Sequence, residues 1–242
     1  PAAMITRKIA PALAAGCPVV IKPSEFTPFT ALALGVLAER AGFPKGAINI
    51  VTGDPSGVGG ALTQSTAVRK LSFTGSTRVG KLLMEQCAGT MKRLSLELGG
   101  NAPFIIFDDA DLDRALDAVI FMIYSINGER CTSSSRLLIQ DSIAEQFQAK
   151  LVERVNNIRV GHPLDPKTEV GPLISQEHFD KVTSYFEIAK QDGAAIAAGG
   201  DRLGDSGYFV RPTLLTNAHN KMHIAQEEIF GPVLTAITFK TE

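Results

Sequence analysis

Apolar positions follow two alternating rhythms along the first hundred residues. Ile5, Ile9, Ala12 and Leu13 recur at helical spacing and predict a helix over 2–15, stopped at Gly16. Four short apolar runs have strand length: Val19-Val20-Ile21, Ile48-Asn49-Ile50-Val51, Leu71-Ser72-Phe73 and Leu94-Ser95-Leu96. Helical stretches separate them. Thr27 is placed to cap one that starts at Pro28, with Gly42 just past its end. A short one runs from about 56 to 64, and Gly75-Ser76 opens another carrying Val79, Leu82 and Leu83. Strands alternating with helices predict an α/β fold with an open parallel, Rossmann-like sheet.

After Glu97-Leu98-Gly99-Gly100 the pattern restarts, so the expected domains are 1–98 and 99–242, the second also α/β. Phe104 to Phe107 reads as a strand, and a helix beginning between Asp108 and Asp111 leads towards Cys131. Leu137-Leu138-Ile139 is a strand. Ser142 and Glu145 have capping-box spacing ahead of Ile143, Phe147, Leu151 and Val155. Residues 161–173 and 199–207 read as loops, Ser175 starts a helix with Phe179, Val182 and Phe186, and 233–239 is a closing strand.

Composition narrows the function. Of 242 residues 45% are apolar and the net charge is −1, which argues against an electrostatic nucleic-acid or membrane surface. No run is long and apolar enough to span a bilayer. Three widely spaced cysteines, Cys17, Cys87 and Cys131, form neither a disulfide framework nor a zinc pattern, so a reducing, cytoplasmic setting and no metal are expected. Residue 1 is a proline followed at once by helix-forming sequence, and the chain ends abruptly at Thr241-Glu242, so it reads as a piece of something longer, inactive and prone to aggregate by itself.

The chemistry centres on Asn127-Gly128-Glu129-Arg130-Cys131-Thr132, at the end of an apolar run. Cys131 is either a core residue or a nucleophile, and its polar, cationic neighbours suit the second. Glu97, at a strand end before two glycines, is either a salt-bridged structural group or a general base. Arg130 either pairs with Glu129, Asp141 or another acid, or it meets a substrate carboxylate, as serines 133–135 also can. Three strand ends stand out as ligand positions: Lys22, Gly53, and Gly75 with Ser76 at a helix N-terminus. Turn glycines and an ordinary N-cap are the plainer reading of the last. Lys22 with Glu25 can grip a ribose, and no G-x-G-x-x-G motif is present. The four histidines, His162, His178, His219 and His223, read as loop or surface-helix residues and accompany no motif, which disfavours a Cys-His hydrolase.

Phe73-Thr74-Gly75-Ser76, Glu97-Leu98-Gly99-Gly100-Asn101, Asn127 to Cys131 and Glu227-Glu228-Ile229-Phe230-Gly231-Pro232 together resemble the aldehyde dehydrogenase superfamily, in its order and spacing. The resemblance spans the chain, which matches the middle half of a family member, both domains incomplete and an oxyanion-hole Asn lying outside it. It implies that Cys131 attacks an aldehyde, that the thiohemiacetal gives hydride to a nicotinamide, and that Glu97 activates water to cleave the thioester. Lys22, Ser24, Glu25, Gly53, Gly75, Ser76, Leu98, Glu228 and Phe230 resemble the cofactor contacts, with NAD favoured over NADP because Glu25 is acidic where a 2′-phosphate would lie. A small-molecule aldehyde is the implied partner, and a homodimer or homotetramer the implied assembly. The stretch 122–135 resembles the 5-carboxymethyl-2-hydroxymuconate semialdehyde branch, and 71–113 the succinate-semialdehyde branch. Both imply an aldehyde that also bears a carboxylate. The competing readings are a non-catalytic cofactor-binding relative and a cofactor-independent thiol esterase.

Overall fold

The computed structural model describes residues 2–241. The chain divides into two compact units on either side of Gly99–Gly100.

The first unit runs through α1 (Ala2–Ala14), β1 (Val19–Ile21), α2 (Phe29–Arg40), β2 (Ile48–Ile50), α3 (Pro55–Gln64), β3 (Lys70–Thr74), α4 (Thr77–Ala88) and β4 (Arg93–Glu97). The strands are all parallel, as the alternation predicts. They form two separate pairs, β1 with β2 and β3 with β4, and not one continuous sheet. The crossover through α3 delivers the chain to a second pair rather than to a free edge of the first. Burial in this unit is accordingly thin: Phe29, Leu37 and Val20 stay exposed. Thr27 does not cap α2. Pro28 already has helical dihedrals at the N-cap position and no side chain caps it.

The second unit contains β5 (Pro103–Ile106), α5 (Leu112–Tyr124), a 3-10 turn (Ser125–Gly128), β6 (Arg136–Gln140), α6 (Asp141–Asn156), α7 (Gln176–Asp192), β7 (Ala195–Ala198), β8 (Thr213–Ala218), α8 (His223–Gln226) and β9 (Val233–Phe239). One five-stranded sheet has the order β5-β6-β9-β8-β7, with only β7 antiparallel. Successive side chains of a strand face opposite sides, and the core divides that way. Leu214 and Leu234 pack with Phe147, Leu151 and Val155 of α6 and Val119 and Ile123 of α5. Leu215 and Val233 pack with Phe179, Val182 and Phe186 of α7 on the other side. The helix before Cys131 starts at Leu112, with the Asp111 side chain accepting from Arg114 N. The capping box expected at Ser142 and Glu145 is absent. β6 runs straight into α6, and the Ser142 hydroxyl goes instead to Asp108 Oδ2 at 3.2 Å, tying the ends of β5 and β6 together.

Candidate active site

The nucleophile candidate sits on a strained turn. α5 is anchored at its end by Tyr124, fully buried, whose hydroxyl donates to Thr213 O at 3.0 Å. The chain then passes through Ile126, Asn127 and Gly128, all with left-handed φ of 53°, 58° and 68°. Such backbone costs roughly 1–3 kcal/mol per non-glycine residue and persists only where surroundings hold it. Asn127 supplies part of the hold: its amide donates to Pro172 O at 2.7 Å and its carbonyl accepts from Gly171 N at 2.8 Å. Gly128 supplies the rest by letting the turn press against Gly231, whose carbonyl oxygen would lie 2.1 Å from any added Cβ. Cys131 follows, partly exposed and unbridged, five positions before β6 begins at Arg136.

Beside this turn Gly100, Gly128, Arg130, Ser133, Glu228 and Phe230 line a narrow cleft with no room for a water molecule, and Cys131 is not part of its lining. Arg130 pairs with neither Glu129 nor Asp141. Its Nη1 donates to Ser125 Oγ at 2.9 Å, and its guanidinium carbon lies 5.6 Å from the Phe121 ring centre. The position is thus held by a hydroxyl and an aromatic face, with no acid among the described residues to neutralise the charge. Ser133 is 6% exposed and its hydroxyl meets no hydrogen-bond partner, an uncommon state for a buried polar group. Ser135, by contrast, donates to Asn101 Oδ1 at 2.8 Å.

Glu228 and Phe230 form the opposite wall. Gly100 N donates to Glu228 Oε1 at 3.1 Å, and Lys181 Nζ to the Glu228 carbonyl at 3.0 Å. Phe230 has a left-handed φ of 63°, and its carbonyl lies 2.7 Å from His178 Nε2. Here the reading of the histidines needs correcting. His178 is on the first turn of α7, yet its side chain is only 15% exposed and is built into the loops of the cleft. Glu129 reaches towards His178 and Asn127, and burial raises its carboxyl above the usual range.

In the first unit, Lys22, Gly53, Gly75 and Glu97 lie at or just after the carboxyl ends of β1, β2, β3 and β4. Ligands of open α/β sheets bind at those ends. Lys22 Nζ contacts Glu25 Oε2 at 2.8 Å, and this hydrogen bond holds the Glu25 carboxyl below its ordinary range. Ser24 Oγ accepts from Phe26 N at 3.3 Å, within the same turn. Ser76 caps α4, its hydroxyl accepting from Val79 N at 3.3 Å. Gly75 N donates to the Glu97 carbonyl at 3.1 Å, so the two strand ends are tied while the Glu97 side chain stays exposed. Leu98 packs over Gly80, where an added Cβ would meet its Cδ2 at 2.6 Å. No cluster of three or more His, Cys, Asp or Glu suited to a metal occurs among the described residues.

Sequence reasoning missed Asn127 as a brace, His178 as a loop contact, and the choice of Ser133 among the three serines. Only the polar residue ahead of Gly128 carried any local signal; the His178 contact joins residues 52 positions apart, and the burial of Ser133 is set by the fold.

Known proteins place these motifs. The aldehyde dehydrogenase family model matches residues 1–242. The 5-carboxymethyl-2-hydroxymuconate semialdehyde dehydrogenase of Escherichia coli is 49% identical, over 98% of this chain and 52% of its own length. A probable succinate-semialdehyde dehydrogenase [NADP(+)] of Sinorhizobium fredii is 47% identical, over 99% of this chain and 49% of its own. Among solved structures, the betaine aldehyde dehydrogenase of Staphylococcus aureus in complex with NAD+ superposes with a TM-score of 0.94 at 45% identity, over 98% of this chain and 48% of that one. The chain spans about half the length of the curated relatives it matches. With the family model matching from end to end and relatives at nearly half identity, this chain belongs to the aldehyde dehydrogenase family.

Proposed function

We propose that this chain carries the nucleophile, the deacylation base and much of the cofactor site of an NAD-linked dehydrogenase that oxidises a carboxylate-bearing semialdehyde. The observation that supports it most is the make-up of the Cys131 turn. There an arginine without an acidic partner and a buried hydroxyl without any partner lie within two residues of the cysteine in sequence. A guanidinium binds carboxylate through parallel charge-assisted bonds, and an unpaired buried hydroxyl gains from any ligand that pairs with it. The names of both curated relatives describe semialdehyde dehydrogenases, in keeping with an acidic substrate.

In this reading the Cys131 thiolate adds to the aldehyde carbon and forms a thiohemiacetal. Hydride loss from that carbon gives a thioester. Glu97 takes a proton from water, which attacks the thioester and releases the acid and the free thiol. The bound dinucleotide supplies the hydride acceptor. The residues of the first unit fit such a group: α4 is 12 residues long and presents first-turn amides to a pyrophosphate, and Lys22 and Glu25 stand at a strand end as ribose partners. In the second unit Glu228 and Phe230 are the nicotinamide-side contacts.

The test compares semialdehydes with neutral aldehydes of equal length in a protein of the relatives' full length carrying this chain. The charged substrates should be favoured, and Arg130→Ala should lower kcat/KM for them about tenfold or more, as expected for a lost charge-assisted bond, with little change for the neutral ones. Equal kcat/KM for both substrate classes in the wild type would remove the acidic substrate from the proposal.

Glu25 decides the cofactor. Its ionised carboxylate repels a 2′-phosphate, and the Lys22 ammonium offsets this only in part because it is already engaged with Glu25. NAD should therefore be preferred, although the Sinorhizobium fredii relative's name specifies NADP(+). Glu25→Ser is expected to raise kcat/KM for NADP about tenfold, read from initial rates at limiting cofactor. A wild type that favours NADP would displace Glu25 from the ribose site.

A further inference from the structure

From the way one half-buried imidazole stands between two strained turns, we propose that His178 is a positioning residue for the reaction, holding the Cys131 turn and the Phe230 turn in a single arrangement. This rests on the assignment of Cys131 as nucleophile and Phe230 as a cofactor contact.

His178 Nε2 lies 2.7 Å from the Phe230 carbonyl and 3.4 Å from Glu129 Oε1. A carbonyl oxygen only accepts, so Nε2 carries the hydrogen. That tautomer aims its N–H at the Phe230 carbonyl, while the Glu129 carboxyl, two residues before Cys131, packs against the same nitrogen at 3.4 Å without taking a hydrogen bond from it. Burial pushes the imidazole below its ordinary pKa. At neutral pH the ring is therefore neutral, and its contact with Glu129 is one of close packing and not an ion pair. The charged groups around it are Glu177 on its own helix, Lys181 one turn on, and Glu129 on the facing turn.

The placement is not that of a packing residue. Phe230 has left-handed backbone, as do Ile126, Asn127 and Gly128 in the facing turn. Both strained segments therefore need a tether. The Phe230 ring also meets the His178 ring edge-to-face, with centroids 6.0 Å apart. Backbone of the two turns already touches at Gly128 and Gly231. The His178 ring adds a directional bond to the Phe230 turn and a packing contact with Glu129 of the facing turn. The backbone that carries the ring is fixed, because Ser175 Oγ accepts from the His178 amide N at 3.2 Å at the start of α7. Lys181, one turn further on, holds the Glu228 carbonyl. The start of α7 thus sets both the nucleophile turn and the cofactor turn.

The experiment uses a protein of the relatives' full length, in a Cys17→Ser background so that the exposed thiol does not react. His178→Ala and His178→Gln are compared by steady-state kinetics and by the rate of Cys131 alkylation with iodoacetamide, followed by peptide mass. With His178→Ala, kcat should fall about tenfold and KM for NAD rise about threefold while KM for the aldehyde holds within about twofold. His178→Gln keeps an N–H donor and should restore kcat to within about threefold of wild type. Alkylation of Cys131 should speed up about threefold or more in His178→Ala as the turn loosens, and return towards wild type in His178→Gln. An alkylation rate unchanged in His178→Ala, or kinetic losses of equal size in both variants, overturns the proposal. If the wild type forms no NADH from any aldehyde, the functional reading fails by itself, and the alkylation rates still decide whether His178 sets the Cys131 turn.

Discussion

Cys131→Ala, made in a protein of the relatives' full length, is expected to lose turnover by about ten-thousandfold or more while still binding the dinucleotide. Losses of that size follow removal of a covalent nucleophile, since the remaining groups have no bond-forming step to assist. Cofactor binding should persist because the proposed adenosine and pyrophosphate contacts, Lys22, Glu25 and Ser76, lie on other elements. Titration calorimetry with NAD beside an NADH-formation assay measures the two properties separately. Glu97→Gln completes the test. It leaves the thiol intact and removes the base, so acylation should proceed while hydrolysis slows about a hundredfold or more. An acyl adduct should then build up on the peptide containing Cys131 and be visible by mass. Retained turnover in Cys131→Ala ends this mechanism. A Glu97→Gln enzyme that turns over normally, with no adduct, removes Glu97 from it.

The second large effect is structural. Gly128→Ala should destabilise the protein by more than about 4 kcal/mol, the range reached only by severe backbone or core conflicts. Two causes add. The φ of 68° disfavours any Cβ, which costs about 1 kcal/mol. The new Cβ would also lie 2.1 Å from Gly231 O, 2.6 Å from Gly231 C and 3.0 Å from Ile123 O, all backbone atoms that cannot swing aside. Gly193→Ala separates the two. Its φ is 85°, but nothing stands within 4 Å of its added Cβ, so it should lose only about 1 kcal/mol. Chemical denaturation of both variants measures the difference. Similar losses in the two would mean that the Gly128–Gly231 contact yields easily.

Much of this was legible in the sequence because it is local. The Val19, Ile48, Leu71 and Leu94 runs and the helices between them all form. Ser76 caps α4 and Ser175 caps α7, where a hydroxyl precedes a helical pattern. The errors arise where neighbours in space override neighbours in sequence. Ser142 and Glu145 have capping-box spacing, but the Asp108 carboxylate takes the hydroxyl. Ala195–Ala198 and Thr213–Ala218 give weak strand signals by themselves, and only the sheet makes them β7 and β8. The candidate site divides in the same way. Cys131, Arg130 and Glu228 belong to contiguous motifs. The tethers on the turn, Asn127 to Pro172 and His178 to Phe230, join segments with no shared pattern. Arg130 was open between an acid and a ligand, and its actual neighbours, Ser125 and Phe121, lie at i−5 and i−9 across the strained turn, spacings that no helical pattern flags.

The parallel ladder of β6 with β9 has a further consequence for how this region tolerates insertions and deletions. Arg136 is in register with Thr235, and Thr235 N donates to Ser135 O at 2.9 Å, so the strands that leave the Cys131 and Phe230 turns run side by side in the same direction. A residue added between Cys131 and Arg136 must either be absorbed in a turn already pressed against Gly231 or slide β6 by one position, which exchanges the faces of Leu137 and Ile139, both fully buried, with that of Leu138. The same applies to the short link between Phe230 and Val233. Loop length at these two places is therefore constrained as tightly as residue identity. The exposed connection at 164–167 carries no such register and is where length variation should be found.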